Sequence, residues 1–278
     1  MKYAILDDHI VPEEEVKIQL MDRGYHFGDG IYEVVRLYNG SFFAMDAHLE
    51  RLFSSAAKLD MDIPFTQEKL VNLSTELVKK EALHDGAIYM QLTRGATPRN
   101  HLYQRGEKPI LTGFTLPAKP PVEDQKQGIS AYVTDDIRWL RCDIKSINLL
   151  GNVMAKREAS DHECGEAIMH RDGIVTEGSS SNLFLVNDRT LYTHPANHLI
   201  LNGITRQQVI ELAKKLDLQV VEEPFPKEVL AQADEAFVTS TSIEVTPITT
   251  FKGQVEASLS IGTVTRELQE AFASLIPK

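Results

Sequence analysis

Cysteine is scarce in this sequence and aromatic residues are few. Only Cys142 and Cys164 occur among 278 residues, and they form no CxxC pair. A disulfide framework is therefore not expected, and a reducing compartment is. Aromatic residues make up 7%, which leaves the core to Leu, Ile, Val and Ala. No uninterrupted apolar run is long enough to cross a bilayer. Residues 1–11 carry Asp7, Asp8 and His9 where a secretion signal needs an apolar stretch, so a cytoplasmic location is expected. Basic residues are outnumbered by acidic ones, 29 to 40, for a formal charge of −11. Such a surface repels phosphate backbones and anionic lipid, so neither nucleic acid nor membrane is expected as a partner. It leaves room for a small anionic ligand held by a few clustered arginines. Also missing are a Walker glycine loop, GxGxxG after a strand, HExxH and GxSxG. His162-Glu163-Cys164 starts like a zinc helix but lacks the second histidine. The nine histidines have no metal spacing, so no metal site is expected.

What is present reads as a globular chain with room for two domains, at 42% hydrophobic and 25% charged residues. Residues 31–37 are β-branched and apolar, Tyr38-Asn39-Gly40 is a turn, and residues 41–44 return as a second strand. Asp46 is placed to cap a helix with Leu49, Leu52, Ala56 and Leu59 at helical spacing. Thr66 is placed to cap another, with Leu70, Leu73 and Leu77 on one face. Strands are predicted at 87–94 and 109–116. Pro117, Pro120 and Pro121 then interrupt a charged stretch ending at Gly128. The domains are accordingly 1–117, an N-terminal α/β domain, and 129–278, an α+β domain, with 118–128 as an interdomain linker. In the second domain a strand is predicted at 129–134 and a helix near 148–162. Four more strands follow, at 166–170, 174–177, 182–186 and 190–193. Thr205 is placed to cap a helix bearing Val209, Leu212, Ala213 and Leu216, and a final helix runs near 263–274.

Polar clusters interrupt this apolar framework at Arg23 to Gly30, Arg94 to His101, Arg138 to Lys145, Thr176 to Asn182, Asn202 to Arg206 and Thr239 to Ser242. Each alone reads as a turn, a loop or a surface charge. Their joint order is more specific. The segments DRGYHFGDGIYEVVR (Asp22 to Arg36), RWLRCDIKSINLLGN (Arg138 to Asn152), TEGSSSN (Thr176 to Asn182) and NGITR (Asn202 to Arg206) resemble the fold-type IV enzymes that use pyridoxal 5′-phosphate (PLP). That group holds D-amino acid transaminases, branched-chain transaminases and aminodeoxychorismate lyases, and the likeness spans nearly the whole chain. TRGATPRNH (Thr93 to His101) is similar to the D-amino acid transaminases in particular.

The resemblance implies a two-domain fold of mixed α/β (α+β) class, with the second domain binding PLP. It implies that Lys145 forms the Schiff base. Between Ile144 and Ile147 the lysine is expected to be buried, which favours the neutral, nucleophilic amine. Glu177 is implied as the partner of the pyridine nitrogen, keeping the ring protonated as an electron sink; its following Gly178 and three serines suggest a crowded turn near a ligand. Arg51, Ile204 and Thr205 are implied at the phosphate, with Ser240 and Thr241, because a helix N-terminus favours an anion. Leu201 is implied against one face of the ring. Tyr32, Arg99 and His101 are implied as the carboxylate clamp, Arg99 supplying a planar fork. In the related transaminases this loop enters the neighbouring subunit's pocket, so a homodimer is implied.

The activity implied is a ping-pong transfer of nitrogen between D-amino acids (D-alanine, D-glutamate, D-aspartate) and 2-oxo acids such as 2-oxoglutarate and pyruvate. A branched-chain L-amino acid transaminase and an aminodeoxychorismate lyase share the fold and are the alternatives. Ser242, followed by Ile243, stands where the family pattern leads one to expect threonine, which bears on the side-chain pocket.

Overall fold

Two sheets, each with its own core, organise the computed structural model, which describes residues 2–277. The chain divides into two units. One holds the described residues of Met1–Lys119, Ile144–Asn148 and Pro277–Lys278; the other holds Pro120–Asp143 and Leu149–Ile276.

The first unit runs β1 (Tyr3–Leu6), β2 (His9–Pro12), α1 (Arg23–Phe27), β3 (Gly30–Tyr38), β4 (Ser41–Phe42), α2 (Met45–Lys58), α3 (Gln67–Lys80), β5 (Gly86–Thr93) and β6 (Ile110–Pro117). The strands lie in the order β2-β1-β6-β5-β3-β4, each pairing antiparallel. Side chains alternate across a strand, so Ile31, Val35 and Leu37 share one face of β3 with Glu33. Ile31 and Val35 are part of one buried cluster with Leu49 and Leu52 of α2, Leu70, Leu73 and Leu77 of α3, and Ile88 and Met90 of β5. Burying each such side chain stabilises the unit by about 1.5–3 kcal/mol.

Thr66 caps α3, its side chain accepting the Lys69 N–H at 3.1 Å. Asp46 does not cap α2. The return strand ends at Phe42, and Ala44, in the left-handed region at φ 53°, is the N-cap residue. Asp46 sits in the first turn instead, where its charge complements the helix dipole.

Ile144–Asn148 joins this unit by main-chain bonds to β3. Ser146 bridges Ile31, the Tyr32 N–H donates to the Lys145 carbonyl at 3.0 Å, and the Ile147 N–H donates to Gly30 at 3.0 Å. Ile144 adds its side chain to the core. This segment, expected within the second domain, is held by pairings of residues more than a hundred positions apart.

The second unit opens with α4 (Val122–Gln127), a helix inside the stretch expected as linker. It continues through β7 (Ile129–Asp135), α5 (Leu150–Asp161), β8 (Glu166–Arg171), β9 (Ile174–Gly178), β10 (Asn182–Asn187), β11 (Thr190–Thr193), α6 (Ile204–Lys215), β12 (Gln219–Glu222), β13 (Glu235–Ser240), β14 (Glu244–Gly253), β15 (Ala257–Ser258) and α7 (Thr263–Ala273). The sheet order is β12-β11-β10-β13-β14-β7-β8-β9, with β15 against β14. β7 lies parallel to both β14 and β8, and β11 is parallel to β12. Ala131 and Val133 share a core with Ile168, Leu183, Leu185, Val238 and Ile248.

Thr205 does not cap α6; Gly203 does, and Thr205 is buried in the first turn. A Cβ at Gly203 would collide with Asn182 Oδ1, so only glycine lets the helix start this close to β10. Asn182 in turn faces Thr239 across the β10–β13 ladder. The end of β9, the start of β10, the end of β13 and the start of α6 thus belong to one edge of this unit. Among the described residues no helix is long and apolar enough to cross a membrane.

Candidate active site

The residues singled out in the sequence fall into one set on each unit. On the first, Lys145 hangs from the segment that pairs with β3. Its N–H donates to Ser55 Oγ at 3.4 Å, and its Nζ lies 4.2 Å from the centroid of the Tyr32 ring. The side chain is half-buried, less than the flanking isoleucines suggested. Tyr32 stacks on Tyr89 at 5.6 Å, and Tyr89 on Phe114 at 4.9 Å, a row of rings across three strands.

On the opposite face of β3 from Tyr32, Glu33 places a charge among the strand's core side chains. Arg51 donates to it through Nε at 2.7 Å and Nη2 at 2.9 Å, a two-bond fork. His48 Nδ1 stands 2.7 Å from Oε2, the oxygen that Arg51 Nη2 also meets. Burial alone would raise the Glu33 carboxyl, but Arg51 and His48 outweigh it and hold it at about 2. Burial also keeps the His48 ring below its ordinary value, against the pull of Glu33. His48 is therefore neutral at pH 7 and donates from Nδ1–H, since a carboxylate only accepts.

Arg99 and His101 lie exposed on the loop between β5 and β6. Both meet Phe27: the Arg99 guanidinium carbon is 5.0 Å from its ring centroid and the His101 ring 5.4 Å. Among the described residues no hydrogen bond or ring contact joins Tyr32 to either, so the three expected clamp residues are not gathered within this unit.

On the second unit, Glu177 at the end of β9 is buried. Arg138 Nη1 donates to it at 2.5 Å, Asn182 Nδ2 at 2.9 Å, and the Leu201 N–H at 3.1 and 3.2 Å to its two oxygens. The fork of Arg138 goes elsewhere. Its Nε and Nη2 donate to Asp136 at 2.9 and 2.8 Å, and Asp136 also accepts from Thr176 Oγ1 at 2.9 Å. Burial pushes the Glu177 carboxyl up to about 7, only partly offset by Arg138 and the Leu201 N–H, and Asp136 adds to the rise. Burial works against the charge of Arg138, yet Glu177 and Asp136 hold it well above the usual guanidinium value.

The start of α6 belongs to the same edge. No side chain caps the first turn of α6, so its leading N–H groups and dipole are available to a negative ligand. Ile204 and Thr205 form that turn. Ser240 ends β13 with its Oγ 3.2 Å from Ser242 Oγ, and Thr241 follows half-buried. The buried Thr239 Oγ1 has no hydrogen-bond partner. Leu201 is half-buried, with its N–H on Glu177 and its carbonyl on Asn182.

The serines after Glu177 are tied to a second buried carboxylate. Ser179, Ser180 and Ser181 all donate to the buried carboxylate of Glu166, Ser181 at 2.8 Å. The crowding belongs to a packed turn, and Gly178 has no room for a Cβ there because Ser181 and Glu166 fill the space. Asp136, Arg138 and Asn182 received no role from the sequence. The available signal was a carboxylate two residues from an arginine next to an apolar strand. For Glu33 it was a charge at an apolar position of the alternation. Among the described residues no group of three or more His, Cys, Asp and Glu could hold a metal.

Comparison with known proteins adds an independent finding. The model of the amino-transferase class IV family matches residues 30–251. The D-alanine aminotransferase of Bacillus licheniformis is 44% identical over 273 residues, covering 98% of this chain and 96% of that protein. The D-alanine aminotransferase of Staphylococcus epidermidis is 46% identical over 277 residues, covering 99% and 98%. A branched-chain amino acid aminotransferase from T.th., solved with pyridoxamine 5′-phosphate, superposes with a TM-score of 0.89 at 27% identity, covering 98% of this chain and 93% of that one.

Proposed function

The chain belongs to the class IV aminotransferases, which are PLP-dependent enzymes, and from that membership we propose that it moves amino groups between D-amino acids and 2-oxo acids. The observation that carries the choice of D-amino acids is the 44–46% identity to two D-alanine aminotransferases over almost the full chain. D-alanine, D-glutamate and D-aspartate are the proposed donors; 2-oxoglutarate and pyruvate are the proposed acceptors. The two half-reactions are ping-pong, the first 2-oxo acid leaving before the second enters.

The second unit fits the cofactor on its own geometry. The uncapped first turn of α6, with Ile204 and Thr205, fits a phosphate ester, and Ser240 and Thr241 offer hydroxyls to it. A buried carboxylate whose arginine is shared with Asp136 fits a cationic ring nitrogen, and Glu177 is that carboxylate. Leu201 is proposed against the ring, its main chain already fixed by Glu177 and Asn182. When bound, PLP supplies an aldehyde for an amine and an electron sink for a carbanion. Lys145 would supply the amine that anchors it, and, once released by the incoming amino group, its Nζ would take the substrate's α-proton and deliver it to the carbon that was the aldehyde. Glu33 keeps Arg51 oriented through two bonds, and Arg51 is proposed as a further phosphate ligand. Tyr32, Arg99 and His101 bind the substrate carboxylate.

A homodimer and a cytoplasmic location are parts of the same proposal. Exposed Ile18, Leu20, Met21 and Leu102 on the first unit, 46–71% accessible, suit contact with a second copy rather than solvent.

Oxo-acid products measured from D-alanine with 2-oxoglutarate, and separately from L-leucine with 2-oxoglutarate, test the choice. Pyruvate and glutamate from the first mixture alone are expected; turnover of L-leucine alone would make this a branched-chain enzyme. A Lys145→Ala protein is expected to lose turnover by at least about a thousandfold, on the order of 4 kcal/mol. Borohydride should no longer fix the cofactor to it.

A further inference from the structure

The segment Asp22 to Gly30 carries much of the family likeness, yet the proposed function uses none of its residues. We propose that α1, through Arg23 and Phe27, is the strut that positions the Arg99–His101 loop and so sets the affinity for the substrate carboxylate. This inference rests on the reading that Arg99 and His101 bind that carboxylate.

Arg23 is only 4% exposed, and its guanidinium is spent on the loop's main chain. Nη1 donates to the Asn100 carbonyl at 2.6 Å and Nη2 to the His101 carbonyl at 3.4 Å. Nε donates to Asp29 at 2.8 Å, which balances the charge. One turn on, the Phe27 ring sits between three cationic or aromatic groups. Arg23 stands over it at 4.7 Å, Arg99 at 5.0 Å and the His101 ring at 5.4 Å. Both clamp side chains, exposed by themselves, thus share one ring, and the carbonyls of Asn100 and His101 share one arginine.

The strut is itself fixed. Asp22 caps α1 by accepting the Gly24 N–H at 2.7 Å, and it accepts Thr93 Oγ1 at 2.9 Å. A Cβ at Gly24 would collide with Thr93, so glycine permits the close seat. The Arg23 N–H donates to Gly95 and the Thr97 N–H to Met21, both main-chain bonds to the start of the loop. Gly28 ends α1 at φ 65°, a left-handed turn that suits glycine. Asp29 also accepts from Arg94 at 2.9 Å, and Arg94 ties down Leu59 and Asp60. Arg94 packs under Tyr103 at 3.8 Å, securing the loop's far side.

A loop ordered before substrate arrives spares the complex the entropy of ordering it. Loosening it weakens substrate binding in ground state and transition state alike, which raises KM and leaves kcat in place.

The test compares Arg23→Met, Arg23→Lys, Phe27→Leu and Arg99→Met holoenzymes. For Arg23→Met, KM for both the amino acid and the oxo acid is expected to rise at least about tenfold with kcat within about twofold. Arg23→Lys should recover part of the loss, and Phe27→Leu should show a smaller rise of about fivefold. The affinity of cofactor-free protein for PLP should not change in any of them. Hydrogen exchange in 98–106 should quicken in Arg23→Met and Phe27→Leu while that of β3 stays as it was. Unchanged KM and unchanged exchange in Phe27→Leu and in cofactor-loaded Arg23→Met overturn the strut; should Arg23→Met fail to fold, Phe27→Leu decides alone. If Arg99→Met raises KM and these do not, only the strut fails. If Arg99→Met leaves KM untouched, the carboxylate reading fails and takes the strut with it.

Discussion

Two buried glutamates, one in each unit, each meet an arginine and end with opposite acidities. Glu33 is held at about 2 and Glu177 is pushed up to about 7. Burial opposes the charge in both cases, so the difference lies in how the arginine is divided. Arg51 gives Glu33 its fork, and His48 adds a third bond. Arg138 gives its fork to Asp136 and leaves Glu177 a single Nη1 bond. The remaining donors to Glu177 are neutral, Asn182 and the Leu201 N–H. One carboxylate is fully answered by its own fold. The other is answered in part, which is what a site needs if an outside cation is to complete it.

The largest expected effect breaks the symmetry in activity. Glu177→Gln removes the anion proposed for the ring nitrogen and should lower kcat/KM by about a hundredfold to a thousandfold. Because an incompletely answered buried charge is lost, the urea midpoint of the cofactor-free protein should stay or rise at pH 7. Glu33→Gln should do the reverse to stability, lowering it by on the order of 3 kcal/mol at pH 7. A Glu177→Gln protein with wild-type kcat/KM, or a Glu33→Gln protein with wild-type stability, would break the contrast.

Acid titration sharpens it next. The folded Glu33 carboxyl lies below its ordinary value of 4.5, so its stabilisation is present above about 4.5 and is lost as pH falls through about 2. The folded Glu177 carboxyl lies above that value, so the folded state binds the proton more tightly. Its contribution therefore shrinks as pH rises from about 4.5 to about 7 and is level beyond. Stability differences between the wild type and each glutamine variant, measured in cofactor-free protein from about pH 2 to about pH 8, should have opposite slopes in these two windows.

Local pattern made α2, α3 and most strands legible, because apolar spacing at 3.6 and 2 residues is written in consecutive residues. Helix starts were less legible. Asp46 and Thr205 are good capping types, but the chain turns into the helix two residues earlier at Ala44 and Gly203, where main-chain geometry rules. What escaped altogether was long-range. Ser179 and Ser181 donate to Glu166, 13 and 15 residues upstream. Ile144–Asn148 pairs with a strand more than a hundred residues away. Glu33 and Arg138 were given no role because nothing adjacent in sequence reveals that a partner waits inside. Lys145, Glu177 and the α6 turn came from family likeness, and no spacing rule would have selected them.

The smallest expected effect tests why Glu177 is left short. If the sharing of Arg138 is the cause, removing the rival carboxylate should return the fork and end the repulsion. In Asp136→Asn the pH midpoint for PLP binding to the cofactor-free protein, expected near 7 in the wild type and absent in Glu177→Gln, should move to lower pH. Binding should strengthen with rising pH in both proteins, since the carboxylate form is the one that pairs with a cation. Arg138→Lys should shift the midpoint up, because a lysine cannot reach both acids with a fork. A midpoint unmoved by Asp136→Asn would mean that burial alone sets the acidity of Glu177. The two glutamates would then differ in depth rather than in how their arginines are shared.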